Sequence, residues 1–134
     1  HAIILGIEMY SSWIIFLYLG KLKFNPVPKN QYLELGSDSK VHCNAEAEVR
    51  PKVRWMKGSM ENAEMNFSPH ITDDAEDGTL YFHGVRRSDE GPYTCVAMVT
   101  MGASQELINR TIYIYVVGES DFFTIIVNYH TCCF

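Results

Sequence analysis

Cys43, Trp55, Tyr93 and Cys95 all fall on the inward side of short stretches in which apolar and polar residues alternate. In residues 40–45, Val41, Cys43 and Ala45 share one face; in 52–56, Val53 and Trp55 do. Leu80 and Phe82 align in 79–82, and Tyr93, Cys95, Ala97 and Val99 align in 92–99. The last stretch, 108–117, lines up Ile112, Ile114 and Val116. A period of two with one apolar face is the pattern of a strand that buries one side. No helical period runs through the middle of the chain, so the reading is an all-β sandwich of short strands.

Turn chemistry separates these stretches. Pro26 and Pro28 remove backbone donors from the entry segment, which suits an edge strand. Gly36 with Ser37, Asp38 and Ser39 marks one corner, Asp77-Gly78 another, and Asp89-Glu90-Gly91 a third. Residues 58–77 are weakly patterned and are expected to hold loops with one or two short edge strands.

The spacing of Cys43, Trp55 and Cys95, with Asp89, Gly91 and Tyr93 as a D-x-G-x-Y-x-C corner, resembles an immunoglobulin domain of the I-set. Leu80 completes that core signature. The resemblance implies a two-sheet Greek-key sandwich with one inter-sheet disulfide, Cys43–Cys95. A bridge and an indole fill the roughly 10 Å between packed sheets, and Tyr93 would tie down the corner before its strand. More narrowly, residues 22–28 (LKFNPVP), 77–82 (DGTLYF) and 85–95 (VRRSDEGPYTC) are similar to an ectodomain module of the off-track receptors. These are Wnt and plexin co-receptors with an inactive kinase, related to the vertebrate colon carcinoma kinase. No kinase segment stands in this sequence.

Charge divides the chain into three zones. All 11 Lys and Arg residues lie between Lys21 and Arg110. Residues 1–20 form an apolar head whose one charge is Glu8, 21–117 the immunoglobulin-like domain, and 118–134 an apolar tail outside the fold. The head reads as a signal-like remnant, a flank not native to the product, or a membrane span. A span needs about 20 apolar residues, and Lys21 and Lys23 would then favour a cytoplasmic domain, against the disulfide. A signal peptide fits better, although its basic start is missing. The start at His1 suggests a piece of a longer product. The tail is too short to cross a bilayer, and the adjacent Cys132 and Cys133 are poorly placed to bridge each other.

A structural disulfide implies an oxidising compartment, hence an extracellular or secreted location. Two glycosylation sequons agree, Asn66-Phe67-Ser68 and Asn109-Arg110-Thr111. Asn109 is expected at the start of the last strand, near its edge. Strand alternation turns Thr94, Arg54, Met56, Val96, Met98, Tyr113 and Tyr115 outward. The fold would gather the last six of these on the outer face of three neighbouring strands as a protein-binding face, rich in interface-prone types. Ordinary cross-strand packing is the alternative.

The acidic run at 73–77 departs from the EF-hand pattern, with Ala75 at its third position, and reads as a solvated loop. Arg86 and Arg87 are expected opposite it as a basic spot, with a sulfated glycan as a conceivable contact. The five histidines show no zinc spacing with the cysteines, and nucleotide and hydrolase motifs are missing. A net charge of −5 disfavours nucleic acid as a partner. The sequence therefore implies no enzyme, cofactor or metal. It implies an extracellular binding module of a receptor or adhesion protein, serving adhesion, axon guidance or Wnt-type signalling. Its partners would be a cell-surface or secreted protein, adjacent immunoglobulin domains or a second copy, with membrane association through the parent receptor. A spacer domain without a ligand, or an intracellular muscle-type domain with reduced cysteines, are the other readings.

Overall fold

The computed structural model describes residues 21–118. Among them, nine strands follow in order: β1 (Lys23–Phe24), β2 (Gln31–Glu34), β3 (Asp38–His42), β4 (Ala45–Glu46), β5 (Lys52–Lys57), β6 (Ile71–Asp74), β7 (Thr79–His83), β8 (Gly91–Met101) and β9 (Ser104–Val117). A 3-10 turn at Arg87–Asp89 precedes β8. The head at 1–20 and the tail from residue 119, with Cys132 and Cys133, lie outside the described residues.

One sheet has the order β2-β9-β8-β5; the other has β3-β7-β6. β1 and β4 form a short antiparallel ribbon. Only β2 pairs in parallel among these strands, matching Leu33 to Val116 on β9. The prolines of the entry segment explain its division. The chain pairs with β4 before Pro26 and joins the opposite sheet's edge after Pro28.

Alternation decides what each strand buries. Val53 and Trp55 go inward on β5 while Lys52 and Arg54 stay exposed. Leu80 and Phe82 go inward on β7, and Tyr93, Cys95, Ala97 and Val99 on β8. With Val41, Ile112, Ile114 and Val116 these residues form one core between the sheets. Cys43 and Cys95 are bonded through their sulfurs across that core, with Cα atoms 6.6 Å apart. Closing a loop of this length contributes about 4 kcal/mol in the chain-entropy account.

Four details differ from the sequence reading. The stretch 40–45 is not one strand: pairing passes from β7 to β1 at Cys43 and Asn44, where Cys43 N bonds the Gly78 carbonyl and Asn25 N bonds the Asn44 carbonyl. The acidic run is not simply a loop, because Asp73 and Asp74 lie in β6. Arg86 and Arg87 do not face that run, since the whole of β7 separates the two turns, and Arg87 Nη1 donates to the Val116 carbonyl instead. Finally, β9 begins at Ser104, so Asn109 sits well inside the strand rather than at its start.

Candidate recognition face

The corner before β8 is built around Tyr93 and Asp89. Tyr93 Oη donates to the Asp89 carbonyl at 2.6 Å. Burial, helped by the nearby Asp89 charge, pushes the Tyr93 phenol well above its ordinary pKa. The Asp89 carboxylate, itself buried, accepts from Arg86 N at 2.8 Å and stands 2.8 and 2.9 Å from His70 Nε2. Phe82 meets the Tyr93 ring edge-on and Phe67 lies parallel to it. Gly91 then opens β8. His70 escaped the sequence reading: it lies in a weakly patterned segment, and only the packing of β6 beside β7 brings it to Asp89.

The outer face of β5, β8 and β9 is fixed by register. Arg54, Val96 and Asn109 stand in one cross-strand row, and Lys52, Met98 and Leu107 in the next. Met56, Thr94 and Thr111 form the row on the other side. Thr94 points outward by alternation yet is fully buried, because its Oγ1 donates to the Gly58 carbonyl at 2.7 Å and meets Thr111 Oγ1 at 2.9 Å. Met56 is half-buried beside it. This polar clasp divides the expected face in two.

On one side lies a groove of about 740 Å³. Val96, Met98 and Leu107, with Pro51 and Ala75, supply its apolar surface; Arg50, Lys52 and Arg54, with the single acid Glu76, make a predominantly basic wall. Two of the three cations are held by the chain. Arg54 Nε donates to Asp73 Oδ2 at 3.0 Å and Arg50 Nη2 to the Glu76 carbonyl at 2.9 Å. Asp73 is thus a strut between the two sheets. Its Oδ2 also lies 3.4 Å from Trp55 N on the β5 edge.

On the other side, Tyr113 and Tyr115 join Tyr32 of β2. The Tyr32 and Tyr115 rings stack at 4.9 Å, and Tyr113 leans on Tyr115 at 4.6 Å. Tyr32 is 69% exposed. Of the six residues expected together, then, Arg54, Val96 and Met98 meet in the groove, Tyr113 and Tyr115 stand in the tyrosine stack, and Met56 lies between. Lys52, Arg50 and Leu107 were missed. The two-residue Gly102-Ala103 hairpin sets Leu107 opposite Met98, a signal the sequence did carry. Both sequon asparagines, Asn66 and Asn109, are exposed. No helix among the described residues is long and apolar enough to cross a membrane.

Comparison with known proteins agrees with this architecture. The family profile "Immunoglobulin domain" matches residues 23–98. The chain is 39% identical over 102 residues to "Tyrosine-protein kinase-like otk" of Drosophila mojavensis, a match covering 76% of this chain and 9% of that protein. It is 40% identical over 81 residues to human "Inactive tyrosine-protein kinase 7", covering 59% of this chain and 7% of that protein. The chain therefore spans less than a tenth of the length of these relatives. Among solved structures it resembles "Drosophila OTK, extracellular domains 3-5", with a TM-score of 0.60 and 37% identity over 73% of this chain and 30% of that one. The N-terminal eight immunoglobulin domains of Down Syndrome Cell Adhesion Molecule give a TM-score of 0.59 at 28% identity, covering 72% of this chain and 12% of theirs. The matched stretch is a non-catalytic module of receptor ectodomains, and by fold, disulfide and sequence the chain belongs to the immunoglobulin domain family.

Proposed function

We propose that this module recognises a protein partner outside the cell, at the plasma membrane or as part of a secreted product, through the groove on the outer face of β5, β8 and β9. The observation that carries the reading is the pairing of an apolar surface (Val96, Met98, Leu107) with a basic wall whose arginines are already oriented by Asp73 and the Glu76 carbonyl. Such a surface suits a partner segment with an acidic residue beside an apolar one, where oriented charges favour specificity and encounter rate. The setting that goes with this reading is adhesion, guidance or Wnt-type signalling through a longer receptor.

A spacer role is the second reading. It is favoured by the several-domain arrays among the similar structures, in which a single domain can act by setting distance alone. The test is binding of the multimerised chain, bearing Asn109→Gln, to an array of cell-surface ectodomains that includes its own. Met98→Asp is expected to abolish the signal, while Tyr113→Asp, across the Thr94 clasp, leaves it. A signal indifferent to Met98→Asp, or no signal at all, returns the domain to the spacer role.

A further inference from the structure

The sequon Asn109-Arg110-Thr111 acquires a specific meaning from the register of β8 and β9. Asn109 is directly opposite Val96, in the same row as Arg54. Leu107, two positions earlier on the same outward face, is opposite Met98. With strands about 4.8 Å apart, Asn109 stands at the rim of the groove, with Val96 and Leu107 immediately beside it and Met98 diagonally across. Its side chain is exposed and makes no hydrogen bond among the described residues, so nothing in the fold competes for the amide. Thr111 supplies the hydroxyl position of the sequon; in the fold it is exposed and its Oγ1 meets Thr94 Oγ1 at 2.9 Å.

We propose that Asn109 carries an N-linked glycan whose first sugars lie over Val96 and Leu107 and cover the groove, so that occupancy of the sequon decides whether the groove is open. The attachment is a group transfer from a polyprenyl-pyrophosphate oligosaccharide, made on the nascent chain in the secretory pathway. Asn109 Nδ2 forms a bond to the anomeric carbon, the bond from that carbon to the pyrophosphate oxygen breaks, the amide loses one proton to base, and the lipid pyrophosphate leaves. The apolar faces of the sugar rings fit the apolar shelf, and the sugar hydroxyls can reach Lys52 and Arg54 on the far wall. Asn66 is exposed too, but it lies in the segment between β5 and β6 and on none of the cross-strand rows of the β5-β8-β9 face.

The gating step rests on the protein-recognition reading; the site and its coverage of the groove rest on sequence and geometry alone. The experiment uses the full chain produced in eukaryotic secretory cells. Peptide mass spectrometry with and without glycosidase reads occupancy at Asn109. Thr111→Ser is expected to retain the glycan, and Asn109→Gln and Thr111→Ala to lose it. Acylation of Lys52 with a soluble lysine reagent then reads coverage, with Lys40 on the opposite sheet as control. The glycosylated chain is expected to react severalfold more slowly at Lys52 than Asn109→Gln, with Lys40 unchanged. An unoccupied Asn109, or equal Lys52 rates in the two forms, overturns the proposal. If Lys52 is protected while Asn109→Gln binds no ectodomain, coverage stands and the recognition reading fails. If Asn109→Gln binds and the glycosylated chain binds equally well, gating fails and recognition stands.

Discussion

The indole Nε1 of Trp55 donates to the carbonyl oxygen of Gly78 at 3.0 Å, in the fully buried centre of the sandwich. The same carbonyl accepts from Cys43 N at 2.9 Å. One peptide oxygen thus joins β5 of one sheet, the chain beside the disulfide, and the turn into β7 of the other. The buried indole, which needs a partner for its N–H, finds it in a turn residue. Gly78 can present its carbonyl this way because its φ is +72°, and a Cβ at that position would collide with the Cys43 carbonyl.

Gly78→Ala is therefore expected to destabilise the domain by at least ~2 kcal/mol, from left-handed backbone strain together with the displaced Cys43 segment. For a domain of this size that lowers the melting temperature by roughly 8 °C or more. Thermal unfolding followed by Trp fluorescence reads both the midpoint and the loosening of Trp55. A variant with an unchanged midpoint would show that the turn relaxes without disturbing the shared carbonyl.

Replacing both bridge cysteines, Cys43→Ala with Cys95→Ala, removes the constraint on the unfolded chain. The expected loss is about 4 kcal/mol, a large part of the 5–15 kcal/mol that ordinary domains possess. Because the unfolded state then expands further, the denaturant m-value should rise as the midpoint falls. Urea unfolding of oxidised protein against the double variant measures both. An equal m-value would mean that the bridge acts through native packing and not through the unfolded state.

The central strands and their buried residues were legible because a period of two is a local signal: Val53, Trp55, Leu80, Phe82, Tyr93 and Cys95 all lie where alternation puts them. The recognition face was less legible, because its composition depends on register and not on direction alone. Alternation turns Thr94 outward, but only the tertiary contact with Gly58 and Thr111 shows it buried and dividing the face. Asp73 read as one acid among several until β6 brought it beside Arg54. Arg110 shows the limit from the other side. It shares the inward face with its partner Cys95, yet its long side chain remains exposed. The Asn109–Val96 pairing was recoverable in principle, by counting back from the Gly102-Ala103 turn.

His70 and Asp89 form a buried pair that also holds the Arg86 amide. Asp89→Ala leaves both donors without an acceptor and is expected to cost about 2–4 kcal/mol. His70→Ala removes one member only. In a double-mutant cycle the two effects should fall short of additivity by about 1 kcal/mol or more, as for directly bonded neighbours. Urea midpoints of the three variants give the coupling. Strict additivity would mean that the pair contributes only through separate contacts.

Tyr93 gives the domain a defined alkaline limit. Its phenol is pushed above the ordinary value of about 10, first by burial and then by the Asp89 charge. The native state therefore holds its proton where the unfolded chain has released it. The stabilisation is complete below about pH 10 and declines as pH rises from there toward the raised native value, by up to about 1.4 kcal/mol per pH unit. Tyr93→Phe loses the bond to the Asp89 carbonyl, so near pH 7 it should be less stable by about 1–2 kcal/mol. It has no phenol to ionise, so above pH 10 its stability should fall less steeply and the two curves should converge. Urea midpoints at pH 7, 9, 10 and 11 decide this. A constant offset across that range would show that Tyr93 ionises in the native state as readily as in the unfolded one.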